Sequence, residues 1–121
     1  MKLNHDAVRF VLLTIESDVP MNGEVFNDHF HNKGFNNDEI DYAIKQLVDS
    51  GHIDAINQST FTESLFAISG ITWIGHGLLD NIRDNNVWGE AKKVAGKFAS
   101  VSIDILSQIA VQVIGNAISG R

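Results

Sequence analysis

At 121 residues, 44% of them hydrophobic and 20% charged, the chain has the length of one domain and a globular rather than disordered composition. The absence of cysteine excludes disulfides and thiolate metal sites and suits a reducing cytoplasm. Of the formal net charge of −6, residues 1–86 hold five Lys/Arg against thirteen Asp/Glu, a net −8, whereas residues 87–121 hold four against two, a net +2. That balance disfavours nonspecific nucleic-acid binding and leaves only a weak basic patch at Lys92, Lys93 and Lys97.

Met1-Lys2-Leu3-Asn4-His5-Asp6 lacks the basic-then-apolar layout of a signal peptide, so no export by that route is expected. A first helix is expected from about Asp6 to Glu16, capped by Asn4, with Val8, Val11, Leu12 and Ile15 as its buried stripe. Pro20 pushes Val19 toward an extended conformation, which fits a very short edge strand or a turn over Asp18–Gly23. A second helix is expected from about Gly23 to Lys33, burying Val25, Phe26 and Phe30, with Gly34 as its C-terminal cap. A tight turn at Phe35-Asn36-Asn37 then leads into a third helix, Asn37 to Ser50, capped by Asn37 and ended by Gly51.

The third helix carries the sharpest signal in the front module. Ile40, Ala43, Ile44, Leu47 and Val48 follow the spacing of one buried stripe. Asp38, Asp41, Tyr42, Lys45, Gln46 and Asp49 fall on the other face, a surface that repels phosphate. Tyr42 among acids and amides suits contact with a protein partner.

Beyond Gly51 the periodicity changes. His52–Asn57 and Ser64–Ile68 read as a two-stranded hairpin around the polar stretch Gln58–Glu63, which bears no Lys or Arg. Thr72 would cap a fourth helix with Ile74, Leu78, Leu79 and Ile82 inward, where Gly75 and Gly77 allow a close backbone approach. From Val87 to about Ile118 a polar stripe (Glu90, Lys93, Lys97, Ser100, Asp104, Ser107) faces a wide apolar arc, predicting one long helix. The arc, with Trp88, Ala91, Ala95, Phe98, Ile105, Leu106, Ile109 and Val113, is wide enough to want a partner: the front module, a second copy, or both. Trp73, Trp88 and Phe98 suit core or helix-junction anchors.

The segment Ile71-Thr72-Trp73-Ile74-Gly75-His76-Gly77-Leu78-Leu79-Asp80-Asn81-Ile82-Arg83-Asp84 resembles a small bacterial and phage family known as domain of unknown function 2513. Its Thr-x-x-Gly-His and Ile-Arg-Asp pieces carry most of that resemblance, and the opening Met1–Asp6, Val87-Trp88 and Ser102–Leu106 add to it. The resemblance implies a winged-helix-like front module and a frequent prophage context, and it supplies no activity and no catalytic residue.

The expected fold is mainly α with a small β-hairpin. A winged helix-turn-helix-like module over 1–86 precedes a long C-terminal helix over 87–121, a packing or oligomerisation element. Chemical constellations are thin. His29 and His31 diverge on a helix and cannot share a metal. His5-Asp6 and His52-Ile53-Asp54 set imidazole near carboxylate without a nucleophile, and no phosphate loop, dinucleotide fingerprint or zincin motif occurs. The reading is a non-enzymatic cytoplasmic interaction protein that needs no metal or cofactor, meets a protein partner through the third helix and self-associates through its C-terminal helix. A DNA-binding regulator is the alternative, and a membrane-active effector ranks third, because Asp104 and the amides Gln108 and Gln112 argue against spanning.

Overall fold

The computed structural model describes residues 1–120 as helix α1 (His5–Asp18), strand β1 (Val25–Phe26), a 3₁₀ turn (Asn27–Phe30) and helix α2 (Asn37–Asp49). Strands β2 (Ile53–Asn57) and β3 (Phe66–Ile71) follow, then helices α3 (Trp73–Ile82), α4 (Asn85–Ala95) and α5 (Ile103–Gly120). The fold is mainly α with one small antiparallel sheet, ordered β1-β3-β2. Val25 pairs with Ile68, and Ile53 through Asn57 run against Ile71 through Phe66 with a register shift at Asp54/Ala55.

Each helix starts where a side chain satisfies its first free N–H groups. Asn4 Oδ1 accepts from the Ala7 amide, Thr72 Oγ1 from the Gly75 amide, and Asp84 Oδ1 from the amides of Asn86 and Val87. In α2 the cap is Asn36, one residue earlier than expected, because its Oδ1 takes the amides of Asp38 and Glu39. Asn37 instead accepts from the Asn32 amide, closing the turn before the helix.

The stripes of α1 and α2 bury as expected. Val8, Val11, Leu12 and Ile15 meet Ile40, Ala43, Ile44 and Leu47 in one core that also takes Phe30 and Ile68. Residues 23–33 do not form the expected helix. Val25 and Phe26 pair with β3 as an edge strand, Phe26 is 40% exposed, and only one 3₁₀ turn remains. Three apolar residues could not decide between a helical face and an extended segment, and β3 offered backbone partners. Gly34 does adopt a left-handed φ of +99°.

The C-terminal third contains a helix, but not the single continuous one predicted. The chain leaves α4 at Gly96 and re-enters helix after Ser102, whose Oγ accepts from the Ile105 amide. An uninterrupted helix from Val87 to Ile118 would extend nearly 50 Å and leave its apolar arc uncovered. The break folds α5 back between α3 and α4. Trp88, Ala91 and Ala95 are buried in the same core as Leu106, Ile109 and Ala110.

The residues behind the Thr-x-x-Gly-His and Ile-Arg-Asp pattern hold these elements together. Thr72 Oγ1 also donates to the Gly51 carbonyl at 2.6 Å, tying the end of α2 to the start of α3. A Cβ on Gly75 would stand 1.9 Å from the His52 carbonyl oxygen, so the close approach belongs to Gly75, whereas Gly77 faces open space. Arg83 makes a two-pronged pair with Glu16 at 2.7 and 2.8 Å and a third bond to Asp80.

Candidate interaction surfaces

The outward face of α2 forms one wall of a cleft of about 470 Å³ whose other walls are the 3₁₀ turn and the returning limb of the hairpin. Asp28, Asp38, Asp41 and Glu63 line it, with no Lys or Arg among the described residues around it. Asp38 and Asp49 are exposed, whereas Asp41, Tyr42 and Gln46 are half-buried. Lys45 bonds Asp49 one turn on at 2.6 Å, and that partner raises the lysine above its ordinary value. The one cation of the face is thus neutralised locally. At the hairpin tip Phe61 is fully exposed.

Asp41 is more than a surface acid. It accepts from Asn27 Nδ2 at 2.9 Å and lies 2.7 Å from His31 Nε2. Asn27, itself buried, donates also to the Ser64 carbonyl and accepts from the Phe66 amide at 3.0 Å. One amide therefore joins the 3₁₀ turn, α2 and β3, fixing the cleft's shape. Sequence spacing could not reveal this, since the contacts span up to 39 residues.

Of the arc expected to seek a partner, Trp88, Ala91, Ala95, Leu106 and Ile109 are buried within the chain itself and Val113 is half-buried. Phe98 and Ile105 stay exposed, at 60% and 43%. Trp88 is anchored on α1. Its Nε1 donates to Asp6 at 3.0 Å, and Lys92 Nζ reaches the same carboxylate at 3.1 Å. Burial raises the Asp6 carboxyl, but these donors and charges outweigh it and hold it below 3.8. Lys93 pairs with Glu90, so two of the three lysines of the weak basic patch are engaged.

The histidines disperse. His29 lies on Asp18, His31 on Asp41, and His5 Nε2 on the Val101 carbonyl. His52 pairs with Ser50 Oγ through Nδ1 at 2.7 Å rather than with Asp54, and burial pushes it below its ordinary 6.5. No group of three or more His, Asp or Glu able to hold a metal ion occurs among the described residues.

Trp73, expected as a core or helix-junction anchor, and Ile74, expected inside, are 91% and 51% exposed. The buried stripe of α3 begins at Gly75 and continues through Leu78, Leu79 and Ile82, which leaves the two preceding residues facing out. They stand at the mouth of a groove of about 400 Å³ between α3 and α5, with His52 and Ser107 also lining it. Starting the stripe at Gly75 would have put Ile74 outside it, whereas Trp73 precedes the stripe in either case.

A family model described as hypothetical protein DUF2513 matches residues 2–102. An uncharacterized protein of Haemophilus influenzae is 34% identical over 120 residues, covering 98% of this chain and 100% of the relative. No solved structure matches.

Proposed function

The chain belongs to the domain-of-unknown-function family 2513, and from that premise we propose that it is a non-enzymatic, winged-helix-like interaction protein of phage or prophage origin. It binds a protein partner through α2 and the adjoining hairpin and self-associates through its C-terminal helix. The order helix, short strand, helical turn, helix, hairpin, with the first strand paired to the third, supports the winged-helix assignment. The observation that carries the partner reading is the acid-lined cleft between α2 and the hairpin, where a DNA-reading winged helix needs cations. The expected partner presents Lys and Arg to Asp28, Asp38 and Glu63 and an apolar recess to Phe61.

Ion pairing of Lys92 and Lys93 takes support from the alternative, a DNA-binding regulator. No helix among the described residues is long and apolar enough to cross a membrane; the cytoplasm is the proposed site of action. The test is affinity capture from bacterial cytoplasm with the wild type and with Asp38→Lys/Asp49→Lys, alongside titration with mixed-sequence duplex DNA at low salt. A protein captured by the wild type and lost by the variant supports the reading. Tight, salt-sensitive DNA binding by the wild type sinks it.

A further inference from the structure

We propose that the groove between α3 and α5 is closed by α5 of a second copy of this chain, with Trp73 as the anchor of a two-fold interface. The proposal rests on the self-association half of the reading above and assigns it a face. The groove is apolar at its mouth, through Trp73 and Ile74, and Ser107 forms its lip on α5. From Ser107 the same side of α5 continues at i+4, i+7 and i+11 through Val111, Ile114 and Ile118. Val111 is 56% exposed and Ile118 78%, so an open groove runs into an uncovered apolar helical stripe.

Charge selects the occupant. The chain carries a net −6; Asp80, which lines the groove, is paired with Arg83, and Asp104 lies one turn before the groove's lip. Most of the acidic front module would be repelled there. Residues 105–120 of α5 hold no charged side chain, so this segment docks against a copy without like-charge cost. Because the groove adjoins the first half of α5 and its occupant is the second half, two copies related by a two-fold axis satisfy both at once, with the α5 helices antiparallel. Two Trp73 side chains alone contribute roughly 300–500 Å², a substantial share of the ~1,200 Å² at the low end of stable interfaces.

The full-length chain is measured by sedimentation equilibrium and light scattering from micromolar to millimolar concentration, together with Trp73→Ala and Ile118→Glu. Both positions are exposed, and circular dichroism verifies that the variants keep the fold. The expected result is a wild-type dimer, with its Kd raised about thirtyfold or more by either substitution. Trp73 fluorescence shifts to the blue and becomes less quenchable by acrylamide as the dimer forms. A dimer unmoved by both substitutions overturns the assigned face while leaving self-association in place. A monomer throughout the range overturns both, and leaves the groove to a different ligand.

Discussion

Gly75 has less room for a Cβ than any other glycine among the described residues, and it yields the most demanding prediction. Gly75 lies in the first turn of α3, where a Cβ would meet the His52 carbonyl oxygen at 1.9 Å, its carbon at 2.9 Å and Ile71 Cγ2 at 2.6 Å. Relieving the first contact in Gly75→Ala needs about 1.5 Å of separation, since carbon and oxygen sit comfortably at roughly 3.4 Å. Neither side yields easily: one is backbone, and the other is a helix pinned by the Thr72 amide on that same His52 carbonyl at 3.1 Å. Overpacking costs about 1–3 kcal/mol and the weakened hydrogen bond about 1 more, while alanine regains about 1 in helix propensity. The net loss is about 1–3 kcal/mol, or a Tm lowered by about 4–12 °C in a domain of this size. Gly89→Ala is the matched control, because Gly89 lies within α4 with nothing within 4 Å of its missing Cβ, and it should gain about 0.8 kcal/mol. Urea unfolding of both variants measures the difference. A Gly75→Ala protein within about 0.5 kcal/mol of wild type would refute the claim that this junction is set by backbone contact.

Asn27→Ala strands the buried Phe66 amide and removes a donor from Asp41, so it should cost about 3 kcal/mol, whereas Asp38→Ala on the exposed face should cost under 1; chemical denaturation separates the two. Burial holds His52 below 6.5, so the unfolded imidazole takes up its proton first as pH falls. Its contribution is therefore complete above pH 6.5 and drains below it until the folded imidazole protonates too; His52→Gln should flatten that limb of a stability–pH curve. Asp6 is depressed below 3.8, so its contribution is complete above that pH and is lost as pH falls through the lower folded value. Asp6→Ala should cost about 1 kcal/mol at neutral pH, chiefly through the lost acceptor of Trp88, since the Lys92 pair is solvent-exposed, and should remove that acid limb.

Local chemistry made much of this architecture legible. The stripes of α1 and α2 have a period that only a helix satisfies, and Asn4 and Thr72 mark helix starts through their own side-chain preferences. The hairpin followed from β-branched runs around a polar stretch, and the acid of α2 from counting charges on one helical face. Every one of these signals acts within about one or two helical turns of its own residue.

What the sequence left open depended on partners far along the chain. Val25 and Phe26 became a strand because β3 stood beside them, and Asn27 became a keystone because Ser64 and Phe66 arrived from 37 and 39 residues away. The apolar arc after Val87 required cover, but whether it would be one helix against a copy or two helices folded on each other turned on a bend at Gly96 and on the space beside α1 and α3. Trp73 has an inward-looking sequence neighbourhood and an outward position, since the first buried residue of α3 is the glycine that lets the helix seat against His52. Periodicity fixes which residues share a face; only the packed chain decides what that face meets, because burial is a property of surfaces brought together and not of the segment that carries them.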